Sequence, residues 1–300
     1  MDHELPFFSV VVTTYNRLQQ LAISLSALAR QAYPSNCYEV IVVDDGSVHT
    51  PQALVATYQE RLDLTLLIQD NQGPAAARNR GAQRARGTFL AFTDDDCAPA
   101  PTWLQTLAVS LNGSLDCAVG GRTVNLLTNN LFAVASQHLL TYLYSYYNTD
   151  PSCARFFASN NLALRATDFH EVGGFDSSFP RAAGEDRDFC ARWLSRGYRL
   201  IYVPEAVVRH YHTLTPRRFW QQHVNYGRGA YHFHRLRACR EESQLQLEPL
   251  SFYLGLLCAP FTTMRTTRAA KVAGLLLSAQ VATSVGFWQE RLVQQERRDG

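Results

Sequence analysis

The 300-residue chain has 46% hydrophobic and 18% charged residues, a composition that indicates a globular protein with a sizeable core and excludes a disordered chain. Its formal net charge of +2 gives no general signal for nucleic-acid binding, so we expect no nucleic-acid partner. The N-terminal residues have neither the basic nor the long apolar region of a signal peptide, and we expect this part of the protein to stay in the cytoplasm.

Strand and helix patterns alternate through the first third of the chain. Apolar runs and helical spacing predict four strands and three helices, followed by a helix that begins at Pro101. In chain order these elements cover residues 7–13, 18–31, 38–43, 51–62, 64–68, 75–86 and 88–93. The alternation predicts an α/β fold with a Rossmann-like, mostly parallel sheet and helices on both faces.

Polar residues follow three of the predicted strands directly. Thr14 and Tyr15 follow the first strand, Asp45 lies in the turn after the second, and residues 94–96 follow the fourth. In open α/β sheets, ligands bind beyond the carboxyl ends of the strands. We therefore expect these residues to share one ligand-binding edge.

Asp94, Asp95 and Asp96 are the most informative of these residues. Adjacent carboxylates repel each other and raise each other's pKa, and a divalent cation removes that cost. Oxygen ligands suit Mg²⁺ or Mn²⁺, which in turn bind phosphate oxygens. An acidic turn is the alternative for this run when it is taken alone.

The second part of the chain is less regular. Short strands are predicted at 118–121, 200–203 and 206–210, and a helix is predicted to begin near Glu185 and Asp186. The apolar and aromatic segment 131–147 fits either a packed helix face or an aromatic wall for an acceptor.

Eight strings, in this order and spacing, resemble the family 2 glycosyltransferases with the GT-A fold, over about residues 7–235. They are VVTTYNR (11–17), VVDDGS (42–47), GPAAARNRGAQRARG (73–87), FLAFTDDDCAP (89–99), ASNNLALR (158–165), VGGFDSSF (172–179), GEDRDFCARWLSRGYRL (184–200) and VRHYH (208–212).

The resemblance implies an inverting, Mn²⁺- or Mg²⁺-dependent transfer of sugar from a nucleoside-diphosphate sugar to a hydroxyl acceptor. The acceptor would be a glycan, a lipid-linked glycan or a small molecule, and the donor would carry uridine or guanosine, with a UDP-sugar favoured. The residues expected to bind the donor are Thr14, Tyr15, Asp45, Arg78, Asp94 and Asp95.

The same resemblance assigns the remaining roles. Asp96 is the expected metal ligand together with His210, for which His212 is the competitor because both side chains would face one side of a strand. Asp186 is the expected general base, although carboxylates at a helix start also serve as caps. Contacts to the acceptor are expected from Glu185 and Asn161.

We expect a glycosyltransferase domain over residues 1–235, with a nucleotide-binding half to about 115 and an acceptor half from about 116. A helical extension is expected over 236–300. No Q-x-x-R-W string follows His210, which favours transfer of a single sugar over processive synthesis.

Two uncharged segments, 249–264 and 272–289, lie in the C-terminal extension with a basic stretch between them. A two-helix hairpin across a membrane would put this stretch inside and the catalytic domain outside, away from cytosolic nucleotide sugars. We therefore expect helices that pack on the domain or rest on the inner face of a membrane.

Two other functions are compatible with parts of this pattern. A nucleotidyltransferase also uses carboxylates and metal on an α/β sheet, but it needs a glycine-rich basic loop near the first strand, and VVTTYNR offers little of that. A catalytically decayed scaffold attached to a membrane would bind nucleotide without turnover. The presence of Asp45, Asp186 and His210 argues against decay.

Overall fold

The computed structural model describes residues 5–112, 116–179, 183–241 and 248–299. These residues form two compact units. The first unit contains residues up to 126 together with 147–178 and 186–211. The second contains 127–146, 179–185 and the residues from 212 onward. Helix α8, Pro216–Glu241, runs through residue 235, where the sequence suggested a boundary.

A mixed eight-stranded sheet forms the centre of the first unit, with strand order β3-β2-β1-β4-β7-β6-β8-β5. The strands are β1 Phe8–Thr14, β2 Tyr38–Asp44, β3 Leu64–Ile68, β4 Phe89–Asp94, β5 Cys97–Pro99, β6 Cys117–Asn125, β7 Leu162–Arg165 and β8 Arg199–His210. The four predicted N-terminal strands are confirmed, and they pair in parallel. The predicted strands at 200–203 and 206–210 are one strand, β8, whose register with β6 shifts between Gly121 and Arg122.

The helices of the chain follow the prediction less closely. They are α1 Leu18–Leu28, α2 Gln52–Ala56, α3 Pro74–Arg84, α4 Trp103–Leu111, α5 Leu131–Tyr147, α6 Ala166–Val172, α7 Glu185–Ser195, α8, α9 Leu250–Cys258, α10 Pro260–Thr263 and α11 Thr266–Asp299. The prediction of a helix over 51–62 was too long, because α2 ends at Ala56 and turns follow it.

Helices cover both faces of the sheet, as predicted. On one face, Val10 and Val12 of β1 belong to a buried cluster that includes Leu25 of α1 and Leu107 of α4. On the other face, residues Ile41 and Val43 of β2 pack with Ala77 of α3. All seven residues of β2 are buried, which explains why that strand is an almost continuous apolar run.

The second unit is helical. Its core joins residues of α5, α8, α9 and α11, among them Ala135, Phe219, Leu256 and Leu276. The aromatic segment 131–147 forms α5, in which the Tyr142 hydroxyl donates to the carbonyl of Phe252 at 2.8 Å. These contacts support a packed helix face for this segment.

Candidate active site

The carboxyl ends of three neighbouring strands meet at one edge of the sheet. In the register of β1 with its neighbours, Thr13 lies opposite Asp94 of β4, and Thr14 lies opposite Asp44 of β2. The sequence placed its polar clusters at this edge, and the structure confirms that placement.

The acidic run at this edge is mostly buried, and Thr14 and Arg17 contact its buried members. Asp95 and Asp96 are almost fully buried, whereas Asp94 is partly exposed. The Thr14 hydroxyl donates to Asp95 Oδ2 at 2.8 Å. Arg17 Nη1 lies 3.2 Å from Asp95 Oδ1 and 3.0 Å from Asp96 Oδ2. Thr14 is thus an internal partner of the acidic run in this conformation.

Arg17 is a site residue that the sequence analysis did not identify. It ends the VVTTYNR string, only three residues after Thr14, and its guanidinium provides positive charge to two buried carboxylates. A basic residue in the loop after β1, at the same edge as the aspartates, was the available signal.

Burial raises the pKa of Asp95 to about 7, although the nearby Arg17 guanidinium opposes this shift. The negative charges of Asp96 and Asp94 add to the increase, and the Thr14 hydrogen bond works against it. An added cation would stabilise the ionised form of this carboxylate, as expected for residues that bind a metal.

His210, which lies near the end of the first unit's sequence, contacts the acidic run. Strand β8 pairs with β5 so that His210 lies opposite Cys97, and its Nε2 is 3.2 Å from Asp96 Oδ1. Burial lowers the pKa of His210, but the charge and hydrogen bond of Asp96 outweigh burial, and the net pKa is raised. His212 belongs to the second unit, where it lowers the pKa of His223. The geometry supports His210 over His212 as the partner of Asp96.

The donor atoms here fit a divalent cation. Single ligand atoms of Asp96, Cys97 and His210 lie within 4.8 Å of one another. Burial raises the pKa of the Cys97 thiol well above its usual range, so that sulfur stays protonated. The carboxylate is suited to Mn²⁺ or Mg²⁺, and a neutral imidazole is a reasonable further ligand for Mn²⁺.

Arg78 fastens the partly exposed member of the acidic run. Its Nη2 lies 2.9 Å from Asp94 Oδ1, and its guanidinium carbon lies 5.6 Å from the centroid of the Phe175 ring. The neighbouring Asn79 holds the Phe175 backbone, since its side chain accepts from the Phe175 N–H at 2.9 Å and donates to the Phe175 carbonyl at 2.7 Å. Arg78 is buried, which argues against a solvated helix face.

Asp45 organises the loop that precedes α3. Its Oδ1 accepts hydrogen bonds from Gln69 Nε2 at 2.7 Å and from the Gln72 N–H at 2.9 Å, and its Oδ2 accepts from the Gly73 N–H at 2.8 Å. An open cavity of about 570 Å³ is lined by residues 46–47, 68–70 and 72 and by Arg80. The expected contact of Asp45 with a nucleobase stays a prediction.

Tyr15 lies half exposed in the loop after β1. Next to it, Asn16 adopts a left-handed conformation with φ 56°. The Asn16 N–H donates to Ser47 Oγ at 2.7 Å, and the Val48 N–H donates to Asn16 Oδ1 at 2.9 Å. These bonds tie the loops after β1 and β2 together and leave the Tyr15 ring available to a ligand.

Helix α7 begins with the two carboxylates expected to serve acceptor chemistry. Asp186 Oδ1 accepts from the Arg187 N–H at 2.8 Å, and Glu185 is buried. One turn further, Arg192 pairs with Asp188 at 2.7 Å. Arg192 also donates to the carbonyls of Val172 and Gly174, at 2.8 and 2.7 Å. The same helix therefore holds the turn that leads to Phe175.

Asn161 is fully buried among strands of the sheet. Its Oδ1 accepts from Trp103 Nε1 at 2.9 Å, and its Nδ2 donates to the carbonyl of Ala206 at 2.8 Å and to that of Arg122 at 3.2 Å. These contacts support a structural role for Asn161, and its acceptor contact stays a prediction.

Comparison with known proteins assigns the family. The sequence profile described as "Glycosyl transferase family 2" matches residues 9–173, and that of "Glycosyl transferase family group 2" matches residues 117–289. The chain belongs to glycosyl transferase family 2. It is 30% identical to the glycosyltransferase AglE of Haloferax volcanii over 212 residues, which cover 70% of this chain and 68% of that protein. The protein is therefore a glycosyltransferase.

Other curated relatives are longer than this chain. It is 30% identical to the hyaluronan synthase of Pasteurella multocida, over 67% of this chain but 23% of the synthase. It is 31% identical to a validoxylamine A glucosyltransferase of Streptomyces hygroscopicus, over 65% of this chain and 51% of that enzyme.

Solved structures confirm the GT-A fold. A mannosyltransferase from Pyrobaculum calidifontis, in complex with GDP-Man and Mn²⁺, superposes with a TM-score of 0.65 at 18% identity, over 93% of this chain and 87% of that one. TarS of S. aureus with UDP-GlcNAc gives a TM-score of 0.57 at 17% identity, over 97% of this chain and 92% of that one.

Proposed function

We propose that this protein is an inverting, metal-dependent glycosyltransferase that moves a single sugar from a nucleoside-diphosphate sugar to a hydroxyl acceptor in glycan, polysaccharide or glycolipid synthesis. The observation that carries this proposal is the convergence of Asp96, His210 and Arg17 at the carboxyl edge of the sheet. It is supported by solved GT-A structures that contain GDP-Man with Mn²⁺ or UDP-GlcNAc.

The donor diphosphate is proposed to bind beside the acidic run. Asp96 and His210 would hold Mn²⁺ or Mg²⁺, with Asp95 adjacent and Asp94 directed to the ribose by its pair with Arg78. When bound, this ion supplies Lewis-acid stabilisation of the leaving diphosphate. Arg17 provides a further positive charge beside the same carboxylates.

The nucleobase is proposed to bind between the loops after β1, β2 and β3. Tyr15 offers an exposed ring there, and the open cavity beside residues 46–47 provides the space. Asp45 shapes this wall through its bonds to residues 69–73 and would accept from a base N–H. A UDP-sugar is the favoured donor, and the similarity to TarS, which was solved with UDP-GlcNAc, supports this choice.

Asp186 is proposed to take the proton from the acceptor hydroxyl as that oxygen attacks the anomeric carbon. Attack opposite the leaving diphosphate inverts the configuration in one step. Glu185, the preceding residue, is proposed to help bind the acceptor. We place the reaction on the cytoplasmic side of the membrane, where nucleotide sugars are available.

Thermal-shift titration with UDP, GDP, ADP and CDP and their sugar conjugates, with and without Mn²⁺, tests the donor site. Binding to the native state raises the melting temperature. A Mn²⁺-dependent rise with one nucleoside diphosphate supports the proposal and identifies the base. Release of pyrophosphate instead of a nucleoside diphosphate during turnover would point to a nucleotidyltransferase, and binding without turnover would point to a decayed enzyme.

A further inference from the structure

The second unit exposes a group of apolar side chains that the proposed chemistry does not use. We call it the outer face and define it by the exposed side chains of α9, α10 and α11: Leu250, Leu254, Phe261, Leu277, Val281, Val285, Trp288 and Leu292. Leu277, Trp288 and Leu292 of α11 are exposed by 54%, 55% and 59%. Single exposed leucines need no explanation, but an aligned group of this size indicates an interaction surface.

Helix α11 is apolar on two opposite sides. Its buried side, which includes Val272, Leu276 and Ala279, packs into the core of the second unit. Leu277 and Val281 lie half a turn away from these residues and are exposed. Because the core already uses one side, the apolar residues on the other side are not explained by packing within this unit.

A direct span of the bilayer by α11 conflicts with its packing, although the segment Thr266–Gln295 is long and apolar enough to cross a membrane. A Cβ on Gly227 of α8 would lie 1.8 Å from the carbonyl oxygen of Thr283, and one on Gly286 of α11 would lie 1.9 Å from that of Val224. The two helix backbones therefore touch.

Helix α8 is rich in arginine, so it cannot follow α11 into hydrocarbon. It contains six arginines, and two of them donate to α11: Arg228 to Gln289 Oε1 at 3.1 Å, and Arg235 to Gln294 Oε1 at 2.7 Å. Charged side chains at the centre of a bilayer are costly. The packed pair of helices fits a position at the membrane surface.

The charge around the outer face is mainly positive, with Glu290 of α11 the acidic side chain between Trp288 and Leu292. Residues 249–289 contain no aspartate or glutamate. The exposed side chains of Arg265, Arg268 and Lys271 lie at the start of α11. At the other end of the apolar stripe, the Arg291 guanidinium lies 4.9 Å from the centroid of the Trp288 ring. Basic residues beside an apolar stripe complement anionic lipid headgroups.

We propose that the outer face docks on a bilayer that contains anionic lipids, with α11 lying in the plane of the interface. Leu277, Val281 and Leu292 would enter the boundary between headgroups and acyl chains, and the basic residues would contact the headgroups. This arrangement holds the enzyme at the membrane without a spanning segment.

Co-sedimentation of the full chain with vesicles tests the proposal. We expect binding to vesicles of phosphatidylcholine with phosphatidylglycerol and weaker binding to phosphatidylcholine alone. The triple variant Leu277→Gln, Val281→Gln and Leu292→Gln should bind roughly tenfold more weakly or worse, because it removes three apolar side chains from the lipid boundary. Lys271→Gln with Arg265→Gln should lose the preference for the anionic vesicles.

A matched control separates lipid contact from general surface apolarity. Val48→Gln with Val109→Gln changes valines that are 80% and 73% exposed in the first unit and should leave vesicle binding unchanged. Circular dichroism should show the same helix content in all variants, since each changed side chain is exposed.

Three outcomes would overturn the proposal. A monodisperse full chain that binds neither kind of vesicle has no membrane surface of this type. Retention of the protein in membranes after alkaline carbonate extraction would show a spanning helix. A dimer in analytical ultracentrifugation that the triple glutamine variant abolishes, together with absence of vesicle binding, would identify a second copy of this chain as the occupant.

Discussion

Arg17 Nη1 lies 3.0 Å from Asp96 Oδ2, so a positive side chain already contacts the carboxylate proposed to bind the metal. We predict that Arg17→Gln lowers the melting temperature of the metal-free protein. The loss should be about 1 kcal/mol or less, because Arg17 is 47% exposed and solvent screens its charge. Because Arg17 competes with the cation, the variant should also bind Mn²⁺ more tightly.

Mn²⁺ titration by calorimetry, without nucleotide, checks the second effect. Arg17→Lys keeps the charge and serves as the control. Equal Mn²⁺ affinity in Arg17→Gln and in the unchanged protein would show that the guanidinium does not compete for this site.

We predict that Mn²⁺ affinity rises with pH between about pH 6 and pH 8, because the pKa of Asp95 is about 7 and a proton on this carboxylate opposes the cation. The raised pKa of His210 acts in the same direction. Thr14→Val removes a hydrogen bond that lowers the Asp95 pKa, and should move the curve to higher pH. Electron paramagnetic resonance of free Mn²⁺ measures these affinities.

The raised pKa of Asp95 has the opposite effect on folding stability, which falls as the pH rises. The folded-state pKa lies above the ordinary value of 3.8, so the native state binds the proton more tightly than the unfolded chain. This contribution is complete below about pH 4 and is lost as the pH rises through about 7. An Mn²⁺ affinity that stays constant between about pH 6 and pH 8 would refute the pKa assigned to Asp95.

Asp186→Asn should reduce turnover by roughly a hundredfold or more, while the donor dissociation constant changes little, because the variant loses the proposed general base and keeps the diphosphate site. Steady-state kinetics and donor titration measure the two quantities separately. Asp150→Asn is the matched control, since that exposed carboxylate accepts hydrogen bonds from the N–H and the hydroxyl of Ser152. Full turnover in the Asp186 variant would remove this residue from the mechanism.

Asn79 connects α3, whose Arg78 pairs with Asp94, to the turn that is hydrogen-bonded to Arg192. Both side-chain atoms of Asn79 bind the Phe175 backbone, and Arg192 binds the adjacent carbonyl of Gly174. We predict that Asn79→Ala lowers kcat several-fold more than it weakens donor binding, because α7 would lose its fixed position. Asn79→Asp keeps the acceptor for the Phe175 N–H and should recover part of the loss. Equal effects on kcat and donor binding would indicate general destabilisation.

His223 makes the second unit sensitive to acid. It is fully buried in α8, and neither ring nitrogen has a hydrogen-bond partner among the residues described. Burial, aided by the nearby His212, lowers its pKa to about 4. The unfolded chain therefore binds a proton that the native state rejects, and stability falls as the pH drops from about 6.5 toward 4. The cost across that interval is on the order of 3 kcal/mol.

His223→Leu should flatten this acid limb in a series of thermal melts at different pH. His49→Leu changes an exposed histidine and should retain the limb. The same acid dependence in His223→Leu would place the sensitive group elsewhere.

The sequence predicted the parallel strands β1 to β4 because their burial leaves a direct apolar signal. The shared edge of Thr14, Asp45 and Asp94 followed from the rule for ligand sites in α/β sheets. The length of the helix after β2 was overestimated because the residues in the turns that follow α2 are also common in helices. Strand β5, only Cys97–Pro99, carries no periodic signal of its own and depends on pairing with β8.

Tertiary contacts define the parts of the site that sequence patterns did not predict. Arg17 looked like an ordinary loop residue, and only the fold brings its guanidinium to the aspartates. Asn161 fits the family pattern, yet its buried position is defined by Trp103 and two distant carbonyls. The register of β8 with β5 brings His210 beside Asp96, a contact that alternation within one strand does not determine.

The pairing of β8 with β5 also sets the order in which the site is completed during synthesis. The acidic run is translated directly after β1 to β4, whereas His210 is the last residue of β8 and is translated far later. A growing chain therefore carries the carboxylates and Arg17 without their histidine. The proposed metal site would be complete only when β8 has been inserted between β6 and β5, so under this proposal a nascent chain lacks the site until nearly all of the first unit has been translated.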